Sequence, residues 1–141
     1  MKRLVSVISI VFLGLLLSNC SVVEDDSPNF QFVPLQIVSA ELPEFFNLEE
    51  TYQIKVSYLK PNSCTFYEGF EVTKEDQTIR NVVVVGSERI NYDDCTEQAV
   101  EETAIFNFVV LYDKTYTFKF WLGETASGEQ EYLEIEVPVN L

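Results

Sequence analysis

The side chains able to do covalent or ligand chemistry are three cysteines, Cys20, Cys64 and Cys95, and a dense acidic stretch, NYDDCTEQAVEE, over residues 91–102. That stretch brings Asp93, Asp94, Glu97, Glu101 and Glu102 close together in sequence, and hard cations such as calcium take oxygen ligands of this kind. It lacks the spacing and the central glycine of an EF-hand loop, so a solvated loop held at Cys95 is the competing reading. Histidine is absent, which removes Ser-His, Cys-His and histidine-zinc schemes together. Carboxylate pairs hydrolyse glycosides in some enzymes. Here 23 acidic residues make chance pairs unavoidable, and no glycine-rich phosphate loop stands beside them. No CxxC is present to suggest redox or zinc chemistry. The chain is expected not to be an enzyme and to carry no cofactor.

Charge narrows the partners. Nine Lys and Arg against 23 Asp and Glu give a formal charge of −14, and the positive residues stand singly. Nucleic acid is excluded as a partner, because phosphate neutralisation needs clustered cations. Two aromatics are candidate surface contacts. Trp121, the single tryptophan, has the opposite parity to Phe118 and Phe120 and is expected to point away from the core. There it stacks on a sugar or a protein partner, or else lies under a loop. Tyr67 carries the same two readings.

The elements that must position these residues read as strands. A hydrophobic content of 47 %, with 11 Phe and 7 Tyr and only five Gly and five Pro, fits one all-β globular domain. Period-two alternation predicts a first strand over Phe32–Ala40, at an edge because it contains Pro34. TYQIKVSYL follows, with Tyr52, Ile54, Val56 and Tyr58 on the core face. The third strand carries Cys64, Phe66, Phe70 and Val72 inward if it stays extended through Gly69, and TIRNVVVVGS forms the fourth. Residues 91–103 read as an irregular acidic connection with one helical turn around 97–102. IFNFVVLY, TYTFKFWL and YLEIEVPV complete about seven strands, expected to be antiparallel, the number of an immunoglobulin-like sandwich.

The N-terminal segment is different in kind. Lys2 and Arg3 precede an apolar run, Leu4 to Leu17, with the length of a signal-peptide core and short of the roughly 20 residues of a spanning helix. The tetrad Leu17-Ser18-Asn19-Cys20 resembles the lipobox of bacterial lipoproteins, with Asn19 where Gly, Ala or Ser is usual; looser boxes of this kind are common in Bacteroidota. The resemblance implies that a signal helix within residues 1–19 is removed and that Cys20 becomes the lipidated N-terminus at the outer membrane. Acyl chains contribute on the order of 0.8 kcal/mol per buried CH₂, so two or more anchor stably. Residues 20–31, with Glu24, Asp25, Asp26 and Pro28, then form an acidic tether to a domain over 32–141. The acidic cluster also resembles the signal that sends such lipoproteins to the cell surface; a plain solvated linker is the alternative.

Lipidation of Cys20 leaves Cys64 and Cys95 to pair in an oxidising compartment. Closing the 31-residue span between them stabilises the fold by about 3 to 4 kcal/mol on the chain-entropy model. Last, DKTYTF resembles the tyrosine corner of immunoglobulin and fibronectin type III domains, which implies that Tyr116 bonds back to nearby backbone. Cys95 in a loop departs from the immunoglobulin disulfide, and no binding residues carry over. The function expected is a lipid-anchored, non-catalytic envelope protein that binds another protein at the outer membrane. The alternative is an accessory lipoprotein that binds glycan or calcium for nutrient capture.

Overall fold

The computed structural model describes residues 29–91 and 93–140, so the signal segment, Cys20 and most of the tether lie outside the described residues. Among the described residues there are ten strands and no helix, eight strands in two packed sheets and two in a short pair: β1 Phe30–Leu35, β2 Ile37–Glu41, β3 Phe46–Asn47, β4 Thr51–Lys60, β5 Thr65–Lys74, β6 Ile79–Arg89, β7 Val100–Val109, β8 Tyr116–Glu124, β9 Gln130–Val137 and β10 Val139–Asn140. One sheet runs β2, β4, β7; the other has five strands, β5, β6, β1, β8 and β9. The all-β sandwich expected from alternation is therefore present. The strand number and the uniformly antiparallel arrangement are corrected, because β6 pairs with β8, and β3 with β10, in parallel.

The first expected strand is in fact two strands in different sheets. β1 pairs with the upper half of β6, the chain crosses at Gln36, and β2 pairs with β4. The crossing is fixed by the Gln36 carbonyl, which accepts the Leu59 N–H at 2.9 Å. It lets Leu35 and Ile37, two residues apart, both enter the core, at 2 % and 0 % exposure. Pro34 is tolerated for a legible reason. Ile90 N–H donates to the Asn29 carbonyl, so the odd residues of β1 face β6 and the Pro34 nitrogen faces the free edge, where no ladder bond is lost. Gly86 on β6 faces Leu35 so closely that a Cβ there would sit 2.9 Å from Leu35 Cδ1 and 2.9 Å from the Phe66 carbonyl oxygen.

The core is aromatic. Phe46, Phe108, Tyr116, Phe118 and Phe120 are buried, and Phe46 meets Tyr52, Phe108, Tyr116 and Phe118 with centroids 4.8 to 6.1 Å apart. Phe46 lies in a segment that sequence alternation leaves unassigned. It is held by its N–H bond to the Pro138 carbonyl at 2.8 Å, where β10 turns in beside β3. Tyr116 behaves as the corner resemblance implies: its hydroxyl accepts the backbone N–H groups of Leu111 and Tyr112 at 3.1 and 3.0 Å.

Two further corrections concern β5 and β7. The register of β5 against β6 shifts between Tyr67 and Gly69, so the side chains on either side of the bulge change face. Thr65 and Tyr67 therefore point inward and Phe66 outward, while Phe70 packs on the core and Val72 is exposed. The connection before β7 is shorter than expected, since Val100 to Glu102 already pair with Lys60, Leu59 and Tyr58 as strand.

Candidate functional site

The outer face of the five-stranded sheet gathers exposed aromatic residues from several strands. Phe30, Phe32 and Pro34 share one parity on β1 and all face solvent; Phe32 is 67 % exposed. Ser87 on β6 stands in register between Phe32 on one side and Phe66 on the other, and these two rings leave it only 8 % exposed. Its hydroxyl is satisfied by the Glu68 carboxylate, which reaches it from the β5 bulge. Phe30 and Phe32 meet edge to face at 5.5 Å, and the Arg89 guanidinium sits over the Phe66 ring at 5.1 Å. Phe30, Phe66, Glu68 and Arg89 line a shallow hollow of about 400 Å³ at this end of the face.

Trp121 marks the other end. Across the sheet its register partner on β9 is Tyr132, and both project from the same outer face. The expected outward direction is what the structure gives, although Trp121 is half-buried. Its indole N–H is held by the Gln130 side chain, whose amide in turn donates to Glu124. With Pro34, Val83 and Tyr132 the indole lines a hollow of about 270 Å³. On its other side lies a cleft of about 530 Å³. The cleft exists because β6 pairs with β8 only as far as Val82 and Phe120; beyond that point β1 takes the edge of β6, and the end of β8 splays away. Leu59, Pro61 and Leu122 form part of its wall, with Glu88, Glu124 and Glu131 around them.

Lys119, two residues before Trp121 on the same outward parity, does not add a free cation to this face. Its Nζ contacts both Glu75 carboxylate oxygens at 3.0 and 2.9 Å. The hydrogen bond to Glu75 raises the Lys119 pKa, and the same bond lowers that of Glu75.

Tyr67 is not part of this face. Its ring stacks on Tyr58 at 5.5 Å and meets Phe70 at 5.9 Å, and Phe70 continues to Phe106 at 4.9 Å. It is an inner rung of an aromatic ladder, Tyr58–Tyr67–Phe70–Phe106, that joins the two sheets, and burial raises its pKa. The Tyr58 hydroxyl is pushed up to about 12, first by burial and then by its hydrogen bond to Glu102.

Cys64 and Cys95 form the expected disulfide, with Cα atoms 5.5 Å apart. Asn62 prepares the first cysteine: its side-chain oxygen accepts the Cys64 N–H and the Thr65 hydroxyl, both at 2.9 Å. Ser63 and Thr96 exchange two further bonds beside the bridge. The bridge thus clamps the acidic loop to the start of β5. The loop's carboxylates are not gathered: Asp93, Asp94 and Glu97 are exposed, and Glu101 already belongs to β7. Among the described residues no three Asp, Glu, Cys or His side chains are placed to hold one cation.

Alternation alone missed Phe30, Phe32, Phe66 and Tyr132 as surface residues. The available signal was the Phe30-Phe32-Pro34 parity set against Val33 and Leu35. The structure defines a disulfide-clamped, two-sheet β-sandwich with one aromatic face. No known protein family, curated protein or solved structure matches the chain.

Proposed function

We propose that the chain is an exported, lipid-anchored protein of the outer membrane that binds another envelope protein through the outer face of its five-stranded sheet. Cys20 carries the acyl chains, the residues from there to the start of β1 at Phe30 are the tether, and the sandwich is a non-catalytic binding domain. The observation that carries the reading is the strip formed by Phe30, Phe32, Phe66, Pro34, Trp121 and Tyr132, aromatic and apolar on an otherwise strongly acidic chain. Contiguous exposed apolar strips mark interaction sites, and aromatic residues together with Arg are the usual anchors of protein interfaces. The immunoglobulin-like comparison extends to the two-sheet packing and the Tyr116 corner; the parallel β6–β8 pair departs from it.

A photoreactive side chain placed at Phe32 in the full chain, in its native envelope, tests the face. The expected result is one reproducible envelope adduct that is missing when the probe stands at Gln53 on the other sheet. Equal adduct patterns at the two positions would remove the proposal. Mass spectrometry of the membrane fraction tests the anchor, which a peptide retaining Met1 or an unmodified Cys20 would overturn.

A second reading, glycan binding, is favoured by one observation: Trp121 stands between two hollows with Pro34 and Tyr132 beside it. As the single tryptophan it reports directly on that site. Unchanged emission on titration with envelope and dietary oligosaccharides would sink this reading and leave the protein-binding one standing.

A further inference from the structure

A sandwich of two open sheets has free edges, and natural β-proteins guard them with short strands, bulges, prolines or charge. Here β1 has Pro34 on its free side, β2 is five residues long with a register shift after Ile37, β5 is bulged before Gly69, and β9 carries Glu131, Glu134 and Glu136. β7 is different. It runs ten residues in unbroken register against β4, from Val109 opposite Thr51 to Val100 opposite Lys60, with no proline, glycine or lysine and with its two glutamates, Glu101 and Glu102, confined to one end. Among the described residues no strand pairs with its other edge. Ile105 and Val109 on its outward face are 54 % and 47 % exposed.

The direction of its backbone groups follows from one end. Val110 donates to the Glu50 carbonyl and accepts from the Glu49 N–H, so even-numbered residues here face β4. Odd-numbered residues therefore present N–H and C=O to the free edge. Leu111, the odd residue just past the strand, donates its N–H to the Tyr116 hydroxyl instead, which closes the free run at Val109. Glu101, Thr103, Ile105, Asn107 and Val109 remain.

This run is self-complementary. About Ile105 as centre, an antiparallel copy sets Ile105 against Ile105, Thr103 against Asn107 and Glu101 against Val109. All five facing positions are then of the hydrogen-bonded type, giving about ten hydrogen bonds at two per pair. No carboxylate faces a carboxylate, and Glu102, on the other parity, is held by Lys60 and Tyr58 of its own chain. Moving the axis to Thr103 or Asn107 shortens the ladder. We propose that β7 pairs with β7 of a second copy across a two-fold axis at Ile105, joining two three-stranded sheets into one of six strands. The axis stands perpendicular to the joined sheet, so both five-stranded sheets lie on one side of it and their aromatic faces point the same way.

Cysteine cross-linking of the full chain in intact cells tests this, independently of what the aromatic face binds. The pairing sets the two Ile105 Cα atoms about 5.5 Å apart. The Gln53 positions, one strand further out on each side, are separated by three strand spacings, about 14 Å or more. A short bifunctional thiol reagent is expected to give a covalent dimer with Ile105→Cys and none with Gln53→Cys. Copies carrying Thr103→Cys and Asn107→Cys are expected to cross-link to each other on co-expression. Ile105→Lys, which sets two cations face to face, is expected to abolish the dimer while circular dichroism and cooperative melting stay those of the parent. Ile105→Cys that reacts with a monofunctional reagent but yields no dimer would overturn the pairing, as would a Gln53→Cys dimer of equal yield. Failure of the Thr103–Asn107 cross-link would overturn the register.

Discussion

Replacing Tyr116 by Phe removes one oxygen atom and keeps the ring. The ring is fully buried against Phe46, Phe108 and Phe118, so packing changes little. The hydroxyl accepts two backbone N–H groups, from Leu111 and Tyr112, where the chain turns between the two sheets. A buried donor left without an acceptor costs about 1 to 3 kcal/mol. Leu111 is 64 % exposed and its N–H can turn to water, whereas Tyr112 is half-buried, so the combined loss is about 2 kcal/mol rather than twice the full penalty. For a domain of this size that corresponds to a fall in Tm of roughly 8 °C. Urea unfolding of Tyr116→Phe is expected to show a lower midpoint with an unchanged slope, since the surface exposed on unfolding is the same. Tyr132→Phe, on the exposed face, is expected to match the parent. A Tyr116→Phe stability within about 0.5 kcal/mol of the parent would refute the corner as a stabilising device.

Three other perturbations bear on the clamp, the face and the cross-strand ion pair between β4 and β7. Cys64→Ser with Cys95→Ser is expected to lower stability by about 3 to 4 kcal/mol, from the 31-residue span alone; a loss under about 1 kcal/mol would mean that the Ser63–Thr96 bonds already hold the loop. Trp121→Ala is expected to leave a folded domain with cooperative melting, and loss of cooperativity would place the indole in the core. Glu102 has its pKa lowered, chiefly by the Lys60 hydrogen bond. Its contribution is complete above the ordinary carboxylate value near 4.5 and is lost as the pH falls through the depressed folded value. Glu102→Gln is therefore expected to flatten the acid limb of a Tm against pH series between pH 6 and 3, and parallel curves for parent and variant would count against the pair.

The features legible in the sequence are those whose signal is local. β4, β7 and β8 alternate cleanly, and Ile54, Val56, Phe108, Phe118 and Phe120 are buried as their parity requires. The Cys64–Cys95 bridge is also present as expected from two cysteines beside turn residues. What alternation missed came from breaks in its own period. At Gln36 the chain changes sheet without a turn signal, and before Gly69 a bulge turns Phe66 to the face opposite Phe70. Phe46 gives no periodic signal because its strand is two residues long and its partner lies at the other end of the chain.

Edges were the least legible feature of all. Alternation says which side chains face out, and says nothing of which strand lies outermost; β7 reads in the sequence much as β8 does. The bulk of β7's outward residues becomes informative only beside the topology that leaves its edge unpaired.

The path of β1 links the anchor to the binding face. β1 is the first element after the tether, and Asn29 at its start lines the same hollow as Phe30 and Phe66. Nine residue steps separate Cys20 from Asn29, which span at most about 30 Å when fully extended. If Cys20 is the attachment point, the Phe30–Phe66 end of the face is tied within that distance of the membrane. The Trp121 end lies further along the strands, and the β7 edge belongs to the opposite sheet. A partner of the aromatic face must then be a membrane-proximal protein, and lengthening the tether by ten Gly/Ser residues should weaken its capture while leaving the β7 pairing intact, because β7 lies in the sheet that the tether does not enter. Equal loss of both on tether extension would show that the two surfaces are not separate.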